Sequence, residues 1–188
     1  MTERKLQACK LTFGNKVSRV VWQIVWTLLY RPSPVFMHGW RRWLLRLFGA
    51  TIEAGAHPYP SAKIWAPWNL TMRQHSCLAP QVDCYCVAPV ILGAHAIVSQ
   101  YSYLCTASHD FKDRAFPLVA APIALEAHAW VAADVFVGPG VTVGEGAVVG
   151  ARSTVVRSVA PWTVVAGPAQ RVVGQRPPFE ATQTDRCA

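Results

Sequence analysis

An aliphatic side chain returns every sixth residue through most of this chain, and a small side chain follows it four residues later. Leu, Ile or Val fill twelve of fifteen aliphatic positions, and Ser, Ala or Val fill fourteen of fifteen small positions. Average composition would fill each position only about a quarter to a third of the time. A fixed short period indicates a solenoid. The aliphatic positions are Ile52, Pro58, Ile64, Met72, Leu78, Cys84, Leu92, Val98, Leu104, Leu125, Val131, Val137, Val143, Val149 and Val155.

The interruptions of this repeat are as regular as the repeat itself. Two residues are skipped after 69, two after 89, and fifteen between 109 and 125, each time after a block of eighteen residues. Three hexads therefore make one triangular coil, and all insertions share one corner. The pattern predicts five coils stacked about 4.8 Å apart, with a loop at 110–124 protruding from that corner. The coils are 52–69, 72–89, 92–109, 125–142 and 143–160.

The net charge of +8 lies entirely in the first quarter of the chain. Residues 1–50 contain nine Lys/Arg and one acidic residue, whereas residues 51–188 contain nine of each. Apolar residues at helical spacing predict one helix over 17–29 and a second over 40–48. Two uses are open: the helices pack on the body as a cap, or residues 1–48 make peripheral membrane contact. The basic residues accompany no nucleic-acid-binding motif, so no nucleic-acid partner is expected.

Three strings resemble a known protein family: LLRLFGA at 44–50, SQYSYLCTASHD at 99–110, and VGPGVTVGEG at 137–146. They resemble the hexapeptide-repeat acyltransferases, most closely the acetyltransferases of colanic acid and related exopolysaccharide biosynthesis. The resemblance implies a left-handed parallel β-helix, a homotrimer with active sites between subunits, and acetyl-CoA as co-substrate. Together with the repeat, it predicts a mainly β protein with N-terminal amphipathic helices.

The candidate catalytic residue is His109, which stands immediately before the long excursion. An imidazole there can act as general base at neutral pH, and the resemblance implies that role. Asp110 could orient the imidazole or contact a sugar, or it could simply cap a turn. By resemblance, a channel for the pantetheine arm of CoA and contacts to the CoA phosphates involve Trp130, Ala133, Ala151, Arg157 and Arg171.

Three histidines form a competing constellation. His75, His95 and His128 occupy equivalent positions in successive coils, which predicts a ladder with a spacing of about 4.8 Å. Stacked imidazoles can bind a metal, and γ-class carbonic anhydrases place zinc on the same fold. Those enzymes use a His-x4-His pair that this sequence lacks. No metal is therefore expected, and the ladder is assigned to the surface or to a subunit interface.

The sequence divides into a basic helical segment (1–50), a β-helix acyltransferase domain (51–165) and a C-terminal tail (166–188). It predicts a cytoplasmic enzyme, at the inner face of the cytoplasmic membrane if the helices bind lipid. The expected reaction is O-acetylation of a sugar hydroxyl for a bacterial surface polysaccharide. The acceptor is a free, nucleotide-linked or lipid-linked sugar. The alternatives are N-acetylation of an amino sugar and a non-catalytic β-helix scaffold.

Overall fold

The computed structural model describes residues 7–8 and 12–179. Its body is a three-sided prism in which each coil contributes one short strand to each of three parallel sheets. The first face contains β2 (Thr51–Ile52), β5 (Leu70–Met72), β8 (Val90–Leu92), β13 (Ile123–Leu125) and β16 (Thr142–Val143). The second contains β3 (His57–Pro58), β6 (Cys77–Leu78), β9 (Ile97–Val98), β14 (Trp130–Val131), β17 (Val148–Val149), β19 (Thr163–Ala166) and β20 (Arg171–Gln175). The third contains β4 (Lys63–Ile64), β7 (Asp83–Tyr85), β10 (Tyr103–Cys105), β15 (Phe136–Val137) and β18 (Thr154–Val155).

The six-residue period arises because every aliphatic position points into the prism. All fifteen of these side chains are buried, and they stack on their equivalents in the neighbouring coils. The insertions do share one corner, between the third and first faces. A short 3₁₀ turn, Pro67–Asn69, occupies this corner in the first coil. The skipped residues lengthen the strands that follow, so Leu70, Val90 and Ile123 form an additional buried ladder.

The predicted count of five coils is slightly too low, because a partial sixth turn follows. Val159 pairs with Val143, and Val165 in β19 pairs with Val149 in β17. Both pairs are separated by sixteen residues (159 − 143 and 165 − 149) rather than eighteen, so this turn falls out of the hexad register. The antiparallel strand β20 then pairs with β19 at the edge of the second face.

The predicted protruding loop at 110–124 is a β-hairpin that leaves the prism earlier than expected. Its arms are β11 (Ala107–His109) and β12 (Leu118–Ala120), and β1 (Gln7–Ala8) adds a third antiparallel strand. Ser108, which the hexad register places inward, is therefore exposed. Only the hairpin tip at 110–117 protrudes without strand pairing, because residues 118–120 return along the outgoing arm.

The N-terminal helices are α1 (Phe13–Val25), which continues as a π-helical turn at Trp26–Tyr30, and α2 (His38–Leu47). They cap the first coil with aromatic side chains rather than with the predicted aliphatic face. The indoles of Trp22 and Trp26 donate to the carbonyls of Ile64 and Ala62, and Tyr30 Oη donates to the Tyr59 carbonyl. The aromatic face packs on the coil because the open end of a β-helix presents backbone carbonyls that need donors. Indole and phenol groups supply these donors, whereas aliphatic side chains cannot. No helix in the described residues is long and apolar enough to cross a membrane.

A buried guanidinium fixes the turn between the two helices. Arg41 is fully buried, and its Nε donates to the Pro58 carbonyl at 2.7 Å. Its Nη1 donates to Ser33 Oγ and to the Pro34 carbonyl at 2.9 and 2.7 Å, and Nη2 donates to the Val35 carbonyl. Nη2 also lies 3.0 Å from His38 Nδ1, so the charge is held by neutral oxygens and an imidazole nitrogen instead of a carboxylate. Burial lowers the pKa of Arg41 from its ordinary value.

Candidate active site

The hairpin holds His109 in a defined tautomer at the surface of the protein. Its ring stacks on Phe116 across the hairpin, with centroids 4.6 Å apart and planes 5° from parallel. Nδ1 lies 2.9 Å from the Phe116 carbonyl oxygen. A carbonyl can only accept, so Nδ1 carries the hydrogen and Nε2 is the basic nitrogen. The imidazole is exposed, and no described residue hydrogen-bonds to Nε2. This arrangement is what a general base requires.

Asp110 makes no hydrogen bond to the imidazole of its neighbour. Its Oδ1 accepts from the backbone N–H of Lys112 at 3.0 Å, which closes a turn at the hairpin tip. The orienting contact to Nδ1 comes instead from the Phe116 carbonyl, which sequence reasoning missed because a backbone carbonyl has no sequence signature. Phe116 adopts a left-handed conformation with φ of 48°, which only the folded hairpin reveals.

Three of the residues proposed for CoA binding line one open groove of about 480 Å³. Trp130 and Ala133 come from one coil and Ala151 from the next, and they meet at the corner between the second and third faces. The Trp130 indole donates to Ser99 Oγ at 3.0 Å, which fixes the ring against the groove. Ala133 and Ala151 leave room above the turns because their side chains end at Cβ. The remaining lining residues are Ser99, Gln100, Ala132, Val148 and Gly150.

The groove and His109 lie at different corners of one chain. The groove includes the turn between β9 and β10, whereas the hairpin leaves the prism after β10. The full width of the third face therefore separates them. An aromatic ladder covers the outer side of this face, with ring centroids 5.2 to 6.4 Å apart. Its members are Trp65, Tyr85, Tyr103 and Phe136.

The two arginines proposed for the CoA phosphates are connected through Gln170. Its side-chain oxygen accepts from the backbone N–H of Arg157 at 2.9 Å, and its amide donates to the Arg157 carbonyl at 2.6 Å. Arg171 follows directly in β20. Gln170 adopts φ of 51° in the turn after Gly167. The tail thus folds back to place both arginines at one end of the prism, and no sequence signal identified Gln170 in this role.

The predicted histidine ladder is present. The ring centroids of His75 and His95 are 5.1 Å apart, and those of His95 and His128 are 5.0 Å apart, with nearly parallel planes. Phe179 packs edge-on against His128. In the described part of the chain, no group of three or more His, Cys, Asp or Glu side chains could hold a metal ion. Parallel stacking explains this, since ring faces contact each other while their nitrogens do not converge.

Acid is expected to destabilise the fold through His38, His57 and His128. Burial lowers the pKa of His38, His57 and His128, and nearby positive or histidine side chains lower it further. Above about pH 6.5 these groups are neutral in both states. Below it, the unfolded chain binds protons that the folded chain excludes, so stability falls. We expect a lower Tm at pH 5.5 than at pH 7.5. The double variant His38→Asn/His128→Asn should flatten the dependence, and an unchanged slope would contradict this origin.

Comparison with known proteins identifies the family. The chain is 41% identical over 163 residues to the protein named "Putative colanic acid biosynthesis acetyltransferase WcaF" of Escherichia coli (strain K12), covering 87% of this chain and 90% of that protein. The WcaF protein of Shigella flexneri matches equally well. The chain belongs to the WcaF acetyltransferase family. No protein-family model matches it.

Solved structures show that the WcaF-family chain has the fold of hexapeptide-repeat acetyltransferases, a left-handed parallel β-helix. A hexapeptide-repeat acetyltransferase from Vibrio cholerae O1 biovar eltor, complexed with acetyl coenzyme A, aligns with a TM-score of 0.78 at 24% identity, covering 89% of this chain and 91% of that chain. A galactoside acetyltransferase in complex with coenzyme A aligns with a TM-score of 0.74 at 18% identity, covering 95% and 93%. The fold class predicted from the hexads together with the family resemblance is therefore confirmed.

Proposed function

We propose that this acetyltransferase moves the acetyl group of acetyl-CoA to a sugar hydroxyl in bacterial surface-polysaccharide biosynthesis, with His109 as general base. The observation that carries the proposal is the hydrogen bond that fixes the tautomer of His109. The Phe116 carbonyl accepts a hydrogen bond from Nδ1–H, which leaves Nε2 exposed and able to accept a proton. The relatives named for colanic acid biosynthesis support a polysaccharide precursor as the acceptor.

In the proposed reaction, His109 moves one proton from the acceptor hydroxyl to the departing sulfur of CoA. Nε2 of His109 removes the proton from the acceptor hydroxyl as the oxygen attacks the thioester carbonyl carbon. The tetrahedral intermediate then expels CoA, and the protonated imidazole returns its proton to the departing sulfur. Nδ1 stays hydrogen-bonded to the Phe116 carbonyl, so the ring keeps its orientation through both transfers. Asp110, whose Oδ1 closes the neighbouring turn, is proposed to contact the sugar.

The site is proposed to form between copies of the chain in a homotrimer. One corner of a single chain carries His109 and another carries the groove, so the two halves meet only if a second copy contributes one of them. The aromatic ladder on the third face offers the apolar surface for such packing. In this arrangement Trp130, Ala133 and Ala151 line the channel for pantetheine, while Arg157 and Arg171 meet CoA phosphates. The enzyme is proposed to act in the cytoplasm.

The proposal is tested by acetyl-CoA turnover, followed as thiol release, with sugars, nucleotide sugars, lipid-linked oligosaccharides and amino sugars as acceptors. Turnover with a hydroxyl acceptor supports it. Turnover confined to amino sugars would favour N-acetylation, and the absence of both turnover and CoA binding would favour a scaffold.

Filling the groove is expected to weaken acetyl-CoA binding selectively. Ala133→Leu inserts a larger side chain where pantetheine is proposed to lie, so the KM for acetyl-CoA should rise roughly tenfold while kcat changes little. Ala54→Leu is the matched control, because it adds the same side chain to an exposed turn of the first coil. Equal KM values for the two variants would contradict the assignment of the groove.

A further inference from the structure

Helix α1 has two apolar faces, and only one of them packs against other described residues. The aromatic face packs on the first coil through Trp22, Trp26 and Tyr30, as described above. The opposite face carries a continuous aliphatic stripe from Phe13 to Leu28, roughly 22 Å long at 1.5 Å per residue. Its side chains are 46 to 80% exposed. They are Phe13, Val17, Val20, Val21, Ile24 and Leu28.

This stripe is unusual because the helix is already anchored without it. Single exposed apolar residues are common on protein surfaces, but six on one helix face make a contiguous patch that indicates a binding surface. The helix does not need these residues for its own docking, since the indole and phenol hydrogen bonds lie on the other side. Among the described residues, the stripe therefore has no occupant.

The charge around the stripe indicates which kind of partner could bind there. Residues 12–50 contain six Lys/Arg and no acidic residue. Lys16 and Arg31 are exposed near the two ends of the stripe. A second copy of the same face would bring cations against cations, whereas anionic lipid headgroups would neutralise them. An apolar stripe flanked by cations is typical of a helix that lies in the membrane interface.

We propose that the aliphatic face of α1 docks this protein on an anionic lipid bilayer. The helix lies in the plane of the surface, with Val20 and Ile24 at the centre of the inserted stripe and Lys16 and Arg31 among the headgroups. The aromatic face stays on the β-helix, so the whole prism is held at the membrane. This assignment joins the two uses left open by the sequence, because one helix both caps the prism and contacts lipid.

Docking in this way brings the catalytic hairpin close to the membrane. Four residues of chain lead from Ala8, which is paired with the hairpin arm β12, to Thr12, the N-cap of α1. This span reaches at most about 14 Å. Arg19 of α1 also stacks over Trp65, 4.2 Å from the ring centroid, and Trp65 packs against the small core beneath the hairpin. A lipid-linked acceptor would thus meet His109 near the surface, a consequence that rests on the proposed function.

The test is flotation of the full-length protein with vesicles of phosphatidylcholine containing one quarter phosphatidylglycerol, compared with phosphatidylcholine alone. Wild type should float with the anionic vesicles, and added salt should weaken binding. Val20→Gln/Ile24→Gln should lower the partition coefficient at least about tenfold. The matched control is Val172→Gln/Val173→Gln, which removes two equally exposed valines from β20 and should float like wild type.

Three results would overturn the proposal. Wild type could fail to float with anionic vesicles, or the helix variant could float as well as its control. The third is a change of sedimentation coefficient in the helix variant, which would make a second copy the occupant of the stripe. Thermal unfolding of both variants verifies that the fold is kept, which the exposure of all four positions leads us to expect. Because flotation needs no substrate, its outcome is independent of whether the proposed reaction is correct.

Discussion

His109→Ala is expected to lower kcat for acetyl transfer by about 10² to 10⁴, the usual contribution of a positioned general base. The KM for acetyl-CoA should change little, because His109 is proposed to take the proton of the acceptor hydroxyl, whereas other residues line the proposed groove for acetyl-CoA. The loss follows from removing Nε2, the nitrogen that the Nδ1 contact to the Phe116 carbonyl leaves available for the proton. Thiol release under saturating acetyl-CoA, with the best acceptor from the panel, measures the effect.

Two companion variants make this result specific. His75→Ala removes an imidazole from the ladder and should leave kcat within about twofold of wild type. Asp110→Asn keeps an oxygen for the Lys112 N–H, so the turn remains and any loss of kcat/KM for the sugar reports the carboxylate charge. Equal losses of kcat for His75→Ala and His109→Ala would indicate that the histidine ladder contributes to the reaction as much as His109 does. A fully active His109→Ala variant would remove the proposed base.

Arg41→Met is expected to destabilise the protein by about 3 kcal/mol or more. The substitution replaces the guanidinium with a shorter apolar side chain and removes its donors to the carbonyls of Pro34, Val35 and Pro58. A buried acceptor that loses its partner costs about 1–3 kcal/mol, and part of that cost is recovered where water can reach the turn. For a chain of this size, such a loss corresponds to a Tm lower by roughly 6–12 °C. Denaturant and thermal unfolding measure it.

The control for this prediction is Arg31→Met, which removes an exposed arginine from the same turn. Its guanidinium lies over the Trp26 ring at 5.4 Å and is solvent-accessible, so we expect a cost below about 1 kcal/mol. Arg41→Lys should recover little of the loss, since one ammonium cannot reach the four oxygens that the guanidinium fork serves. Similar stabilities for Arg41→Met and Arg31→Met would show that the buried network contributes nothing.

Much of the candidate site could be predicted because the solenoid repeats in sequence as it repeats in space. The register places Ala133 and Ala151 at equivalent turns, the family resemblance singled out both of them and Trp130, and the structure brings all three into one groove. The same register aligned His75, His95 and His128, whose rings stack near the strand spacing. The register did not predict where the hairpin begins or that a shortened sixth turn follows. At both places the chain departs from the six-residue repeat, and the repeat predicts only the segments that follow it.

The sequence by itself determined the coil repeat, the corner of the excursion and the position of His109, since each depends on local spacing. Only the tertiary structure decided which nitrogen of His109 is basic, because its partner is a carbonyl seven residues away. It also decided which face of α1 the fold uses. Spacing predicts the aliphatic face that contains Val20, whereas the fold buries the opposite face, which contains Trp22. The difference is that an indole N–H can satisfy a backbone carbonyl at the open end of the prism, whereas an isopropyl group cannot.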